Sequence, residues 1–178
     1  MTSNLWWDEV IFMQSKTKKI ALLGISAALA MVMSFVESLI PPLAAIPGIK
    51  IGLANLVTVF ILYKLGMKYA VSINLVRILL SSILFGNLQV FVFSLAGACL
   101  SLLGMFFIKK TGLFSVISVS ILGGVLHNIG QITVACVWTS TPEIVYYLPV
   151  LLISGTVAGT VIGLLAGFVT KKLEKMKF

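Results

Sequence analysis

Charge is scarce in this chain, and negative charge scarcest: five acidic residues in 178 positions, with a single aspartate, Asp8. Diphosphate chemistry commonly needs several carboxylates to hold magnesium, and the chain does not supply them. No glycine-rich phosphate loop with a Lys-Ser or Lys-Thr ending is present, so ATP hydrolysis has no cradle. No nucleophile and base stand at a spacing that suggests a hydrolase. The two cysteines, Cys99 and Cys136, lie inside apolar runs with no further Cys or His at ligand spacing. They read as small buried hydrophobes rather than as a disulfide framework or a zinc site. The expectation is therefore a protein without metal or cofactor, and not an enzyme in its own right.

What the chain has is apolar length. Hydrophobic residues make up 60% of it and the mean hydropathy is +1.14. That leaves too little polar surface to cover a water-soluble globule, so lipid is the expected solvent. The net charge of +8 sits in short clusters rather than along one face, which argues against a nucleic-acid partner. Apolar segments run over Ile20 to Ile40, Ile51 to Tyr63, Tyr69 to Leu84, Val90 to Ile108, Leu113 to Val137 and Leu148 to Val169, separated by Pro, Gly or Lys. The fold class read from this is an all-α integral membrane protein with six transmembrane helices. The second and third segments are shorter than the roughly 20 residues a bilayer core requires. They either borrow flanking residues, sit inside the bundle, or form a re-entrant segment.

Eleven lysines fall on one side of this topology: Lys16, Lys18 and Lys19 before the first segment, Lys64 and Lys68, Lys109 and Lys110, then Lys171, Lys172, Lys175 and Lys177 after the last. Only Lys50 lies on the other side, and Arg77 is within a segment. The excess of basic residues assigns the eleven, and both termini, to the cytoplasm. Trp138, Tyr146 and Tyr147 then mark the outer interface. The division expected is a disordered cytoplasmic leader over 1–18, a six-helix domain over 19–172 and a basic tail over 173–178. Met13 is a second candidate start beside Met1. The run after the leader is longer than a signal-peptide core and no cleavage site follows it, so it reads as a retained first helix.

Gly155, Gly159, Gly163 and Gly167 repeat every fourth residue and stack on one face of the sixth helix. A weaker ridge, Ala21, Gly24 and Ala28 with Ala27 nearby, lies on the first. Such ridges serve packing within the bundle or docking of another membrane subunit. Polar residues within apolar spans are costly and call for a partner or a use. Arg77 is expected near the midplane with Asn74 on the same face, and Glu37 is the only acidic residue in a span. An ion pair between Arg77 and Glu37 is one way to satisfy the guanidinium; snorkelling or backbone carbonyls are others. The fifth helix carries the densest cluster, His127, Asn128 and Gln131, flanked by Gly123, Gly124 and Gly130. It reads as a cavity lining or as an interhelical polar knot. The outer loop around Pro41, Pro42, Pro47 and Lys50 is too rich in proline to be helical and too apolar to be fully solvated, which leaves a fold-back lid or an interfacial connector.

The run Ile46 through Gly66, then Asn74-Leu-Val-Arg77, then Ser120 through Gln131 resembles the Gx transporter family, also described as heptaprenyl diphosphate synthase component I. The likeness extends from about Lys18 to Lys172. That family is in turn similar to the substrate-binding S components of energy-coupling factor transporters. The resemblance implies a six-helix, S-component-like bundle in a bacterial cell membrane that captures a small molecule from outside. It also implies a transmembrane coupling subunit and cytoplasmic ATPases as partners. S components often dock through an Ala-x-x-x-Ala pattern on the first helix, and Gly24 and Ala28 hold that spacing here. Taken with the polar residues of the spans, the ligand site expected comprises His127, Asn128, Gln131, Asn55, Asn87, Gln89 and Arg77, with docking at Ala21, Gly24 and Ala28. Two further readings stay open: a non-catalytic subunit of a heptaprenyl diphosphate synthase, and a membrane member of a quinone or flavin electron-transfer system.

Overall fold

A computed structural model describes residues 4–39 and 52–172, with side chains from Lys16 onward in the first stretch. Six helices follow one another: α1 Asn4–Leu39, α2 Leu53–Lys64, α3 Met67–Phe85, α4 Leu88–Thr111, α5 Val116–Thr139 and α6 Leu148–Lys172. A short 3-10 helix, Pro142–Tyr147, joins α5 to α6. Five of the six are long and apolar enough to cross a bilayer. The chain is a multi-pass helical membrane protein.

Two features refine the sequence reading. Helix α1 runs back to Asn4, through the stretch expected as a disordered leader, and its membrane-compatible part begins at Lys16. No glycine or proline interrupts residues 4–23, so nothing breaks the helix before the apolar run. The second is α2, one of the two short segments expected to borrow length, sit inside the bundle or re-enter. At 12 residues it is about 18 Å long, short of a roughly 30 Å hydrocarbon core. Its residues Val57 through Leu62 are all buried, and it touches α1, α3 and α6. It is an interior helix rather than a short span facing lipid. By contrast α3, with 19 residues, gains its length from the flanking Met67 and Phe85, and its Leu75, Val76, Leu79 and Ile83 face outward.

The ends of α2 show how local chemistry fixes its place. Gly52, at φ +76 before the first turn, adopts a left-handed conformation that disfavours side-chain-bearing residues, and its N–H donates to the Glu37 carboxylate near the end of α1. At the other end Leu65 and Gly66, the latter at φ +99, reverse the chain into α3. Lys109, at the end of α4, donates to the Leu62 carbonyl and lies 4.8 Å from the centroid of the Tyr63 ring. A lysine counted as a topology marker thus also satisfies a carbonyl that the last turn of α2 leaves open.

Helix α5 is packed tightly on both sides. Against α6, a Cβ on Gly155 would lie 3.0 Å from the Gly124 carbonyl oxygen; on Gly159, 2.6 Å from Ile121 Cα; on Gly163, 2.7 Å from Ile117 Cα. Against α4, a Cβ on Gly130 would lie 2.8 Å from the Ala96 carbonyl oxygen. These backbones approach so closely that any side chain would have to displace backbone. The glycine ridge of α6 therefore serves packing inside the bundle, except at Gly167, whose nearest neighbour is Val116 Cβ at 4.0 Å. The ridge on α1 is different. Ala21, Gly24 and Ala28 are exposed, and nothing lies within 4 Å of a Cβ placed on Gly24.

Candidate functional site

All six helices contribute to one polar cavity of about 110 Å³. Glu37 enters from α1, Asn55 from α2, Arg77 from α3, and His127, Asn128 and Gln131 from α5. The site has this shape because α1 and α2 meet at the Glu37–Gly52 bond, which places the first turn of α2, and so Asn55, at the cavity wall.

Arg77 is held by its own helix. Nε and Nη2 both donate to Asn74 Oδ1, at 3.1 and 2.6 Å, the i, i+3 geometry expected from the sequence. Of the five N–H donors of a guanidinium, those two are taken and the others remain available to the cavity. Glu37 lines the same cavity and accepts from Gly52 N–H. Among the described residues of the lining, the one carboxylate and the one guanidinium each hold a bond of their own and also attract each other electrostatically.

On α5 the three polar residues do different things. Asn128 is buried and its Nδ2 donates to the Leu151 carbonyl of α6 at 2.6 Å. A Cβ on Gly155 would lie 2.8 Å from that nitrogen, so the glycine ridge makes room for this bond. His127 packs against α4 at Gly97, where a Cβ would lie 2.8 Å from the His127 carbonyl oxygen and 2.9 Å from its ring. Gln131 is partly exposed and lines both this cavity and a second, partly open one of 460 Å³ between α4, α5, α6 and the 3-10 helix.

The other expected site residues divide. Gln89 lines the second cavity and not the first. Asn87 lines neither: it is exposed, and its Oδ1 accepts from Val90 N–H at 2.9 Å as the N-cap of α4. An asparagine three residues before a free helical N–H is the ordinary capping signal, and that is the role the geometry gives it. The outer loop expected as a lid, Pro41 through Lys50, lies outside the described residues, as do Lys175 and Lys177.

Sequence reading missed the hydroxyls. Ser34, Ser38, Ser81, Ser94, Ser101 and Ser120 all face the polar cavity. Ser34 Oγ is buried without a hydrogen-bond partner, a cost that a bound polar group would offset. Serines in an apolar helix can bond to a carbonyl one turn back and are therefore unremarkable in sequence. Their convergence appears only once the helices are assembled.

The family model for heptaprenyl diphosphate synthase component I matches residues 26–169. The chain belongs to that family. No curated protein and no solved structure matched it. The component I match contains every residue that lines the two cavities, as well as Ala28, whereas Ala21 and Gly24 precede it.

Proposed function

We propose that the chain is a substrate-capturing membrane subunit, similar to the S component of an energy-coupling factor transporter, that holds a small molecule in the polar cavity. The observation that carries this reading is the convergence of Arg77, Asn55, His127 and Gln131 from three helices on one cavity whose wall includes an unsatisfied buried hydroxyl, Ser34. Polar groups in a membrane interior are expensive, and a ligand site is a use that justifies them. No energy-consuming motif accompanies the cavity in the sequence, so uptake would depend on a transmembrane coupling subunit and cytoplasmic ATPases. The exposed ridge Ala21, Gly24 and Ala28 is the docking face in this reading, since close approach of a partner helix needs an unobstructed small-residue surface.

The localisation that goes with it is a bacterial cell membrane with both termini in the cytoplasm, on the strength of the lysine clusters. A reporter fused after Phe178 is expected to be active in a cytoplasm-reading format only. Activity in an outside-reading format would remove this orientation.

A second reading has the family description in its favour: a non-catalytic partner of a heptaprenyl diphosphate synthase. The two readings separate on one experiment. Protein purified from its native membrane is analysed by mass spectrometry for bound small molecules and co-purifying chains. A bound small molecule together with ATPases supports the transporter reading; a prenyl synthase subunit without ligand supports the other. Redox proteins instead of either would favour the electron-transfer role.

A further inference from the structure

The polar cavity, at about 110 Å³, lies below the roughly 300–1,000 Å³ typical of small-molecule sites, whereas its neighbour of 460 Å³ lies within that range. The two share Val90, Ser94 and Gln131 as common wall. Their linings contrast. The first presents the Arg77 guanidinium, amides and six serine hydroxyls; the second is walled mainly by apolar side chains, Phe93, Ile132, Ala135 and Leu151 among them. We propose that the two cavities form one bipartite site for an amphipathic small molecule, with a compact anionic head at Arg77 and a short apolar tail beside Phe93 and Ala135, and with Gln131 at the junction.

The head is anionic because, among the described residues, Arg77 is the only lysine or arginine in the lining and Asn74 takes only two of its five N–H donors, whereas Glu37, which attracts Arg77 electrostatically across the same cavity, offers no donor of its own. The tail is apolar because, among the described residues, none that lines the larger compartment is charged. The shared wall residues set the two side by side, and the proposal joins them past Gln131. The proposal rests on the reading of the Arg77 cavity as a ligand site and adds the class of ligand.

Trp138 supplies a reporter, since its ring meets that of Phe93 edge-on at 6.5 Å between centroids. In a Trp6→Phe, Trp7→Phe chain it is the only tryptophan. The probe is ω-bromohexanoate, whose bromine quenches nearby indole fluorescence, titrated into protein in phosphatidylcholine nanodiscs. Competitors are acetate, hexanoate, hexanol and added phosphatidylglycerol. At about 0.8 kcal/mol per buried methylene, roughly fourfold each, hexanoate is expected to displace the probe on the order of a hundredfold better than acetate. Arg77→Gln is expected to weaken hexanoate tenfold or more while leaving hexanol unchanged, with Arg77→Lys restoring part of the loss. Ala135→Phe, which fills the apolar compartment, should bring hexanoate down to the level of acetate. Quenching that acetate and hexanoate displace equally, unchanged by Ala135→Phe, overturns the bipartite site and leaves the Arg77 cavity standing. Displacement by phosphatidylglycerol assigns the space to a membrane lipid and also overturns the proposal. Absence of quenching in the unsubstituted cavity contradicts the ligand site itself.

Discussion

Glycine plays opposite parts on the two sides of this bundle. Between α4, α5 and α6, glycines let backbones approach until an added Cβ would meet main-chain atoms at 2.6 to 3.0 Å, as at Gly130, Gly155, Gly159 and Gly163. On α1 the same residue type, at Gly24, meets nothing within 4 Å. The first region is a closely packed unit that carries His127, Asn128 and Gln131; the second is an outer surface with nothing seated on it among the described residues. The contrast teaches that a small-residue ridge in sequence has no single meaning. Its value depends on whether a neighbouring helix is already seated on it.

The largest expected effect tests the packed side. Gly159→Leu or Gly163→Leu should lower stability by about 3 kcal/mol or more, because the new side chain meets Ile121 or Ile117 backbone. Leu164→Ala, on the exposed face of α6, is the control and should cost little. Thermal unfolding in detergent measures all three. Wild-type melting temperatures for both leucine variants would show that α5 and α6 are not in close contact.

Next in size is the bond that the packed glycines accommodate. Asn128→Ala leaves the Leu151 carbonyl without the Asn128 donor and removes an interhelical tie, at a cost of roughly 1 to 3 kcal/mol. Gln131→Ala removes a partly exposed cavity-wall amide and is expected to lose bound ligand with an unchanged melting temperature. The two neighbours on one helix thus separate structure from binding. Equal destabilisation of both would place Gln131 in the same structural network as Asn128.

A smaller effect is expected at the cap. Asn87→Ala should destabilise by about 1 kcal/mol through loss of the Val90 N–H acceptor, with no change in ligand content. Reduced ligand retention at full stability would bring Asn87 back into the site. The smallest stability effect belongs to the open side. Gly24→Leu should stay within about 0.5 kcal/mol of the parent, since no neighbour is displaced. Yet it should abolish co-purification of a coupling subunit. Retained partners would move the docking face elsewhere.

Much of the architecture was legible in the sequence because apolar runs and their punctuation report directly on helices in lipid. The six segments, the glycine face of α6 and the Asn74–Arg77 pairing all follow from periodicity. Hydropathy alone could not tell that α2 faces protein rather than lipid, because Val57 through Leu62 are equally apolar in either setting. The reach of α1 back to Asn4 was obscured by polar residues that continue a helix once it has started. At the site, Arg77, His127, Asn128 and Gln131 stood out because they are costly in a membrane. Asn87 stood out for the same reason, although it sits at a helix end where its cost is small. The serines stayed hidden because each is ordinary by itself and only the three-dimensional arrangement gathers them.

The most direct test of the central claim is native mass spectrometry of protein released from its own membrane, with the wild type beside Gln131→Ala. The expected result is a small molecule bound to the wild type and missing from a variant that is equally folded. A variant that carries the same molecule at the same occupancy would contradict the cavity as its binding site.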